Sequence, residues 1–243
     1  PPPPPADSPY GSPYPSVPPP GPPILVLRIL SLVVGSDGRR VLASAEIFDA
    51  ASMRFRRTGS MGSPRDAHAA APLGRGRVLV TGGRDARDVV LSRTEVYDAR
   101  KGRFVRGPAM TTNRYKHAAV PLGGGAALVV GGSDSRDFKG RYASAERYDP
   151  RTRRFRRVGA MAERRFKLTD AVVRLPSGRV LVAGGRARVE VYEPATRRFR
   201  AAGRVGATLA SATATVLRDG RVLVAGGYDD SIRVSREAWV FTP

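Results

Sequence analysis

Val78-Leu79-Val80-Thr81-Gly82-Gly83 is followed, twelve residues after its second glycine, by Glu95-Val96-Tyr97-Asp98. Phe104 stands six residues after Asp98, and Met110 six further on. A four-residue apolar run bounded by glycines is too short for a globular helix and reads as a strand buried on both faces. The turn residues Leu73-Gly74-Arg75-Gly76 precede it. They supply a hairpin, so a further strand lies upstream. In order, residues 65–73, 77–81, 92–98 and 104–106 form four antiparallel strands of one unit.

The unit recurs. An acid, a Phe and an apolar residue at six-residue steps appear as Asp49-Phe55-Met61, Asp98-Phe104-Met110, Asp149-Phe155-Met161 and Glu193-Phe199-Val205. Paired glycines hold the same register at Gly82-Gly83, Gly131-Gly132, Gly184-Gly185 and Gly226-Gly227, with a single Gly35 in the first unit. First glycines stand 49, 53 and 42 residues apart, a period of propeller blades or paired-helix arrays. Short strands select the propeller. Units are expected at about 24–61, 62–110, 111–161, 162–205 and 206–243, preceded by a Pro-rich spacer over 1–23 that lacks the apolar content to collapse. The first unit lacks its opening strand and the last stops after its third, so about five blades are expected, with incomplete ends. If the ring is open, uncovered blade faces would favour self-association.

The glycine pair after an apolar strand, then Glu95-Val96-Tyr97-Asp98, then an aromatic six residues on, resembles the kelch repeat across about residues 31–243. Glu46-Ile47-Phe48-Asp49, Glu146-Arg147-Tyr148-Asp149 and Glu190-Val191-Tyr192-Glu193 repeat it. Phe replaces the commoner Trp of that family, and the last unit has Glu237-Ala238-Trp239-Val240 with no closing acid. The resemblance implies an all-β kelch propeller of four-stranded blades that binds partners on one face.

Loop lengths indicate which face. From Arg65, Arg114, Lys167 and Leu209 to the first glycine the spacing is 17 in each case, and the six-residue ruler fixes the turn between strands 3 and 4. Both fixed turns lie on one face. On the other, the distance from the second glycine to Glu runs 12, 14, 5 and 10 residues. Insertions in repeat proteins gather on one face, often the binding face. Arg65, Arg114 and Lys167 open the first strands, and Arg84, Arg136 and Arg186 follow the glycine pairs, so these six cations are the candidate ligand residues. Asp85, Asp88, Asp134, Asp137, Asp229 and Asp230 share those loops and are placed to neutralise part of the charge.

The chain carries 42 Lys plus Arg against 21 Asp plus Glu, a formal charge of +21. A large share flanks the fourth strands, as in Arg153-Arg154-Phe155-Arg156-Arg157. Charge on an outermost strand blocks edge-to-edge pairing, and the aromatics sit in the blade register, which argues against nucleic acid as the partner. No run is long and apolar enough for a membrane span. There is no Cys, so the Cys–Tyr crosslink of the copper radical oxidases that share this fold cannot form. His68 and His117 fall at equivalent strand positions, with Asp170 and Ala212 at that place in the next units, as structural residues would. Metal and cofactor are accordingly not expected. The ligand expected on the variable face is a protein or an anionic glycan, with a carbohydrate-active enzyme resembling kelch-type sialic acid epimerases as the alternative. Pro1 in place of Met reads as the start of a trimmed segment, and the Pro-rich spacer leans towards export or the cell envelope.

Overall fold

The computed structural model describes residues 30–36, 40–206 and 208–243, so the spacer expected over 1–23 and the start of the first unit lie outside the described residues. The described chain folds into five antiparallel sheets. The first joins β1 (Leu30–Ser36), β2 (Val41–Asp49) and β3 (Arg54–Arg57). The second joins β4 (Ala69–Gly74), β5 (Arg77–Thr81), β6 (Thr94–Asp98) and β7 (Arg103–Arg106). The third joins β8 (Ala118–Gly123), β9 (Ala126–Val130), β10 (Ala145–Asp149) and β11 (Arg154–Arg157). The fourth joins β12 (Val172–Arg174), β13 (Val180–Val182), β14 (Arg188–Glu193) and β15 (Arg198–Arg204). The fifth joins β16 (Thr213–Val216), β17 (Val222–Ala225) and β18 (Ala238–Phe241).

The arrangement is a β-propeller. Its innermost strands β4, β8, β12 and β16 are neighbours in that order. Among the described residues four blades carry an inner strand, where the repeat suggests about five; the described part of the first sheet has none and packs against the flank of the second. That packing is specific. Met61 N–H donates to the Ala43 carbonyl at 2.8 Å, and the Thr58 and Tyr97 hydroxyls meet at 2.6 Å across the two sheets.

The six-residue ruler becomes a set of cross-strand contacts. Tyr97 pairs with Phe104 and Tyr148 with Phe155, and their ring centroids lie 5.0 and 5.4 Å apart. Phe48–Phe55 and Tyr192–Phe199 repeat the contact at 4.9 and 5.0 Å, so each sheet with an outer strand pairs its aromatics across its own last hairpin, although Phe55 stays exposed. Met61, Met110, Met161 and Val205 end the ruler as buried plugs between successive sheets. The acid that opens the ruler caps the tight turn: Asp49, Asp98 and Asp149 each accept a backbone N–H from two residues on. The arginine clusters fall on β3, β7, β11 and β15, the last strand of each sheet and largely exposed.

Candidate functional site

The glycine-pair loops and the segments entering the inner strands meet at one end of the propeller. Short extended bridges, Asp66 with Arg84, Tyr115 with Ser133, and Ala210 with Tyr228, prolong the sheets into this mouth. At its centre a backbone ladder crosses from sheet to sheet. Lys116 N–H donates to Ala67 O at 2.8 Å, Lys167 N–H to Lys116 O at 2.7 Å, and Ser211 N–H to Lys167 O at 3.1 Å. All four residues hold positive φ, between 45° and 55°, without being glycine. Such backbone persists where the surroundings enforce it, and it is frequent at binding sites.

Of the six candidate cations, Arg65 and Arg114 are placed inside the blades and not at the mouth. Arg65 is 1 % and Arg114 0 % exposed. Each guanidinium donates to the carbonyl of the first glycine, Gly82 at 2.8 Å or Gly131 at 2.6 Å. Each also pairs with the glutamate of the third strand, Glu95 at 2.6 Å and Glu146 at 2.9 Å. The glutamate in turn accepts backbone N–H groups, from Gly62 or from Thr111 and Thr112. Burial lowers the pKa of both arginines, against the pull of their glutamates. These ion pairs pin each incoming loop to its sheet.

The third such residue is Arg165, which the spacing of 17 overlooks in favour of Lys167. Arg165 bonds Gly184 O at 3.0 Å and Glu190 at 2.8 Å. Thr169 and Asp170 form a two-residue turn inserted before β12, which shifts the count. The signal was present in the sequence: Arg65, Arg114 and Arg165 all follow the ruler's Met by four residues. The fifth sheet replaces the pair altogether. Val224 opposite Trp239 corresponds to Val80 opposite Glu95, so Trp239 takes the glutamate position two residues after Glu237. Leu209 and Trp239 pack in one apolar cluster where an ion pair stands elsewhere.

The same insertion moves the histidine register. Leu168, and not Asp170, stands where His68 and His117 stand in earlier sheets, one residue after the positive-φ position. His117 is fully buried, with Nε2 2.8 Å from the Thr81 hydroxyl. Burial, then the charge of Arg114, holds its pKa well below the ordinary 6.5; burial and Arg65 bring His68 to about 4. A free histidine in the unfolded chain therefore binds a proton that the folded chain refuses. Stability is fully present above pH 6.5 and is lost as pH falls towards about 4, by on the order of 3 kcal/mol. Urea unfolding across this range checks it, and His117→Leu, which borrows the residue of the fourth sheet, is expected to flatten the slope.

Lys167 and Arg186 do reach the mouth, as does Arg84. Arg84 pairs with Asp66 and Asp88, both at 3.2 Å. Arg136 is exposed and locked on its neighbour Asp134 at 2.6 Å. Arg186 lies 3.6 Å from Asp230, which it shares with Arg141 at 3.8 Å. Lys116 holds Asp137 at 2.9 Å. Burial opposes the charge of Asp137, but bonds from Lys116 and the Tyr115 hydroxyl outweigh it and keep this carboxyl below its ordinary value. Lys167 contacts the Tyr228 hydroxyl, and among the described residues no carboxylate stands within ion-pair distance of it. Aromatic rings frame these cations. Arg141 lies 4.0 Å over Phe138, and Lys167 is 5.2 Å from the Phe166 centroid and 4.9 Å from that of Tyr228. Phe138 is 46 % exposed on the Asp137–Gly140 turn.

Sequence reasoning missed Lys116, Phe138, Arg141, Phe166 and Tyr228, because loop residues show no periodicity. Among the described residues no cluster of His, Cys, Asp and Glu is arranged to hold a metal, and no helix is long and apolar enough to cross a membrane. Comparison with the curated proteins finds no match. Residues 114–162, the third sheet with its entering loop, match the Kelch motif. With that motif's Arg–Glu pair, glycine turn and Tyr–Phe contact repeated in the sheets on either side, the chain is a kelch-repeat β-propeller.

Proposed function

We propose that this propeller is a non-enzymatic interaction module whose mouth holds an acidic segment of a partner protein. Kelch propellers generally bind proteins, and the charge and shape of this mouth narrow the class of segment. The observation that carries the reading is an imbalance beside an exposed ring. Among the described residues, the carboxylates within ion-pair distance of Lys116, Arg141, Lys167 and Arg186 are those of Asp137 and Asp230, next to Phe138. Guanidinium and ammonium donors left short of carboxylates favour an anionic ligand, and Phe138 offers an apolar foothold beside them. The rigid backbone ladder beneath keeps the donors in place before binding, which limits the ordering cost.

The test is selection of ligands from a random peptide library, followed by affinity measurement. Acidic peptides are expected, and the double variant Lys167→Glu, Arg186→Glu is expected to weaken them at least about tenfold, a loss of about 1.4 kcal/mol. Association is also expected to slow as salt rises. Arg136→Ala is expected to change little, since its charge is already committed to Asp134. A selection without acidic bias, or equal affinity in the double variant, would overturn the reading. Preferential binding to acidic glycans would replace the peptide with a carbohydrate.

A further inference from the structure

A second concavity lies on the flank of the second sheet, beside the segment that enters it from the first. Its volume is about 410 Å³, and Ser60, Gly62, Ser63, Arg93, Phe104 and Arg106 contribute to its wall. Strand register explains the grouping. Glu95 pairs with Arg106 and Tyr97 with Phe104, so these side chains share the face of the second sheet that looks at the first. Glu95 also lines the cavity, but its charge is spent. One oxygen accepts from Arg65 at 2.6 Å and the other from Gly62 N–H at 2.7 Å. Arg93 and Arg106 are exposed, and among the described residues neither has a carboxylate within ion-pair distance. Two guanidiniums outside any ion pair therefore border the same hollow.

The next notch round the propeller shows what the first lacks. There Thr111 and Thr112 stand in place of Gly62 and Ser63, Ser144 in place of Arg93, and Arg157 in place of Arg106. Arg157 Nε donates to Thr111 Oγ1 at 3.3 Å, tying the arginine across the gap. Between the first two sheets every one of these differences adds space, adds positive charge or frees a guanidinium.

We propose that this cavity is a binding site for a phosphate monoester dianion carried on a small aromatic body. Two planar guanidinium forks match the oxygens of a phosphate better than a single carboxylate. Ser60 and Ser63 add hydroxyl donors, and the half-buried Phe104 ring offers the apolar side. The volume falls within the range of small-ligand sites, roughly 300–1,000 Å³. This site is distinct from the mouth and does not depend on the function proposed for it.

Calorimetric titration with phenyl phosphate at low ionic strength tests the proposal. Phenyl phosphate is expected to saturate the protein, and benzoate, with one charge, to bind at least about tenfold more weakly. Arg93→Gln and Arg106→Gln are each expected to weaken phenyl phosphate at least about tenfold. Gly62→Thr recreates the closed notch and is expected to do the same; beyond its chain neighbours its added Cβ would come no closer than 3.5 Å, to Glu95 Oε2, and a thermal transition checks that the fold is kept. Arg218→Gln, on a distant turn, is expected to bind as the wild type does. A phosphotyrosine peptide binding more tightly than phenyl phosphate would identify a protein-borne ligand, and equal affinity a free phosphorylated compound. Failure of the wild type to bind, or full binding by both Arg106→Gln and Gly62→Thr with intact thermal transitions, would overturn the proposal.

Discussion

Glu146→Ala is expected to cost about 3–5 kcal/mol in unfolding free energy. Glu146 is fully buried and accepts Arg114 at 2.9 Å together with the N–H groups of Thr111 and Thr112 at 2.6 and 3.1 Å. Its removal leaves a buried guanidinium without a counter-charge and two backbone donors without their acceptor. Urea unfolding with a two-state fit measures the loss. The fifth sheet shows that the charge is dispensable if both partners go, since Leu209 and Trp239 occupy the two places. The second sheet is the one to convert. Gly62 lies beside Glu95 as Gly206 lies beside Trp239, where an added Cβ would approach the indole to 3.0 Å. Arg65→Leu with Glu95→Trp is therefore expected to unfold within about 1.5 kcal/mol of wild type, while Glu95→Ala alone loses at least about 3 kcal/mol. A double variant as unstable as the two singles summed would show that the fifth-sheet solution does not transfer.

Gly132→Ala is expected to be strongly destabilising. The residue has φ +89°, and a Cβ there would lie 2.7 Å from both His117 Cβ and the Tyr115 carbonyl oxygen. Left-handed backbone costs a non-glycine residue about 1–2 kcal/mol, and overpacking adds about 1–3 kcal/mol. Gly124 provides the comparison. It too has positive φ, +59°, but no atom stands within 4 Å of its Cβ position, so Gly124→Ala is expected to lose only the conformational term, about 1–2 kcal/mol. Thermal unfolding distinguishes them; equal losses would mean that packing round the second glycine of the pair is looser than described.

The framework was legible because its contacts are short-range in sequence. Tyr148 and Phe155 face each other across one tight turn, and Asp149 caps that turn, so a fixed spacing in the chain is a fixed contact in space. The three Arg–Glu pairs span 30, 32 and 25 residues and an entire loop. From sequence alone Arg65 and Arg114 therefore looked like open cations at the start of a strand, whereas both are shut inside. Lys167 was found through a count that ran across the Thr169–Asp170 insertion, and the residue it displaced, Arg165, is the structural equivalent. The mouth was harder still. Arg141 and Arg186 come from two different glycine-pair loops and meet only through Asp230 of a third. No spacing rule encodes such a meeting.

Hydrogen–deuterium exchange of the propeller with its tightest selected acidic peptide tests the central claim, that the mouth is the working face. Slowed exchange is expected in residues 66–67, 84–91, 115–117, 133–142, 165–168, 186–187, 210–211 and 228–234, which carry the glycine-pair loops and the backbone ladder. The fixed turns at 74–76, 99–102, 123–125 and 176–178, on the opposite face, are expected to exchange as in the free protein. Protection of those turns, with the mouth unchanged, would contradict the account.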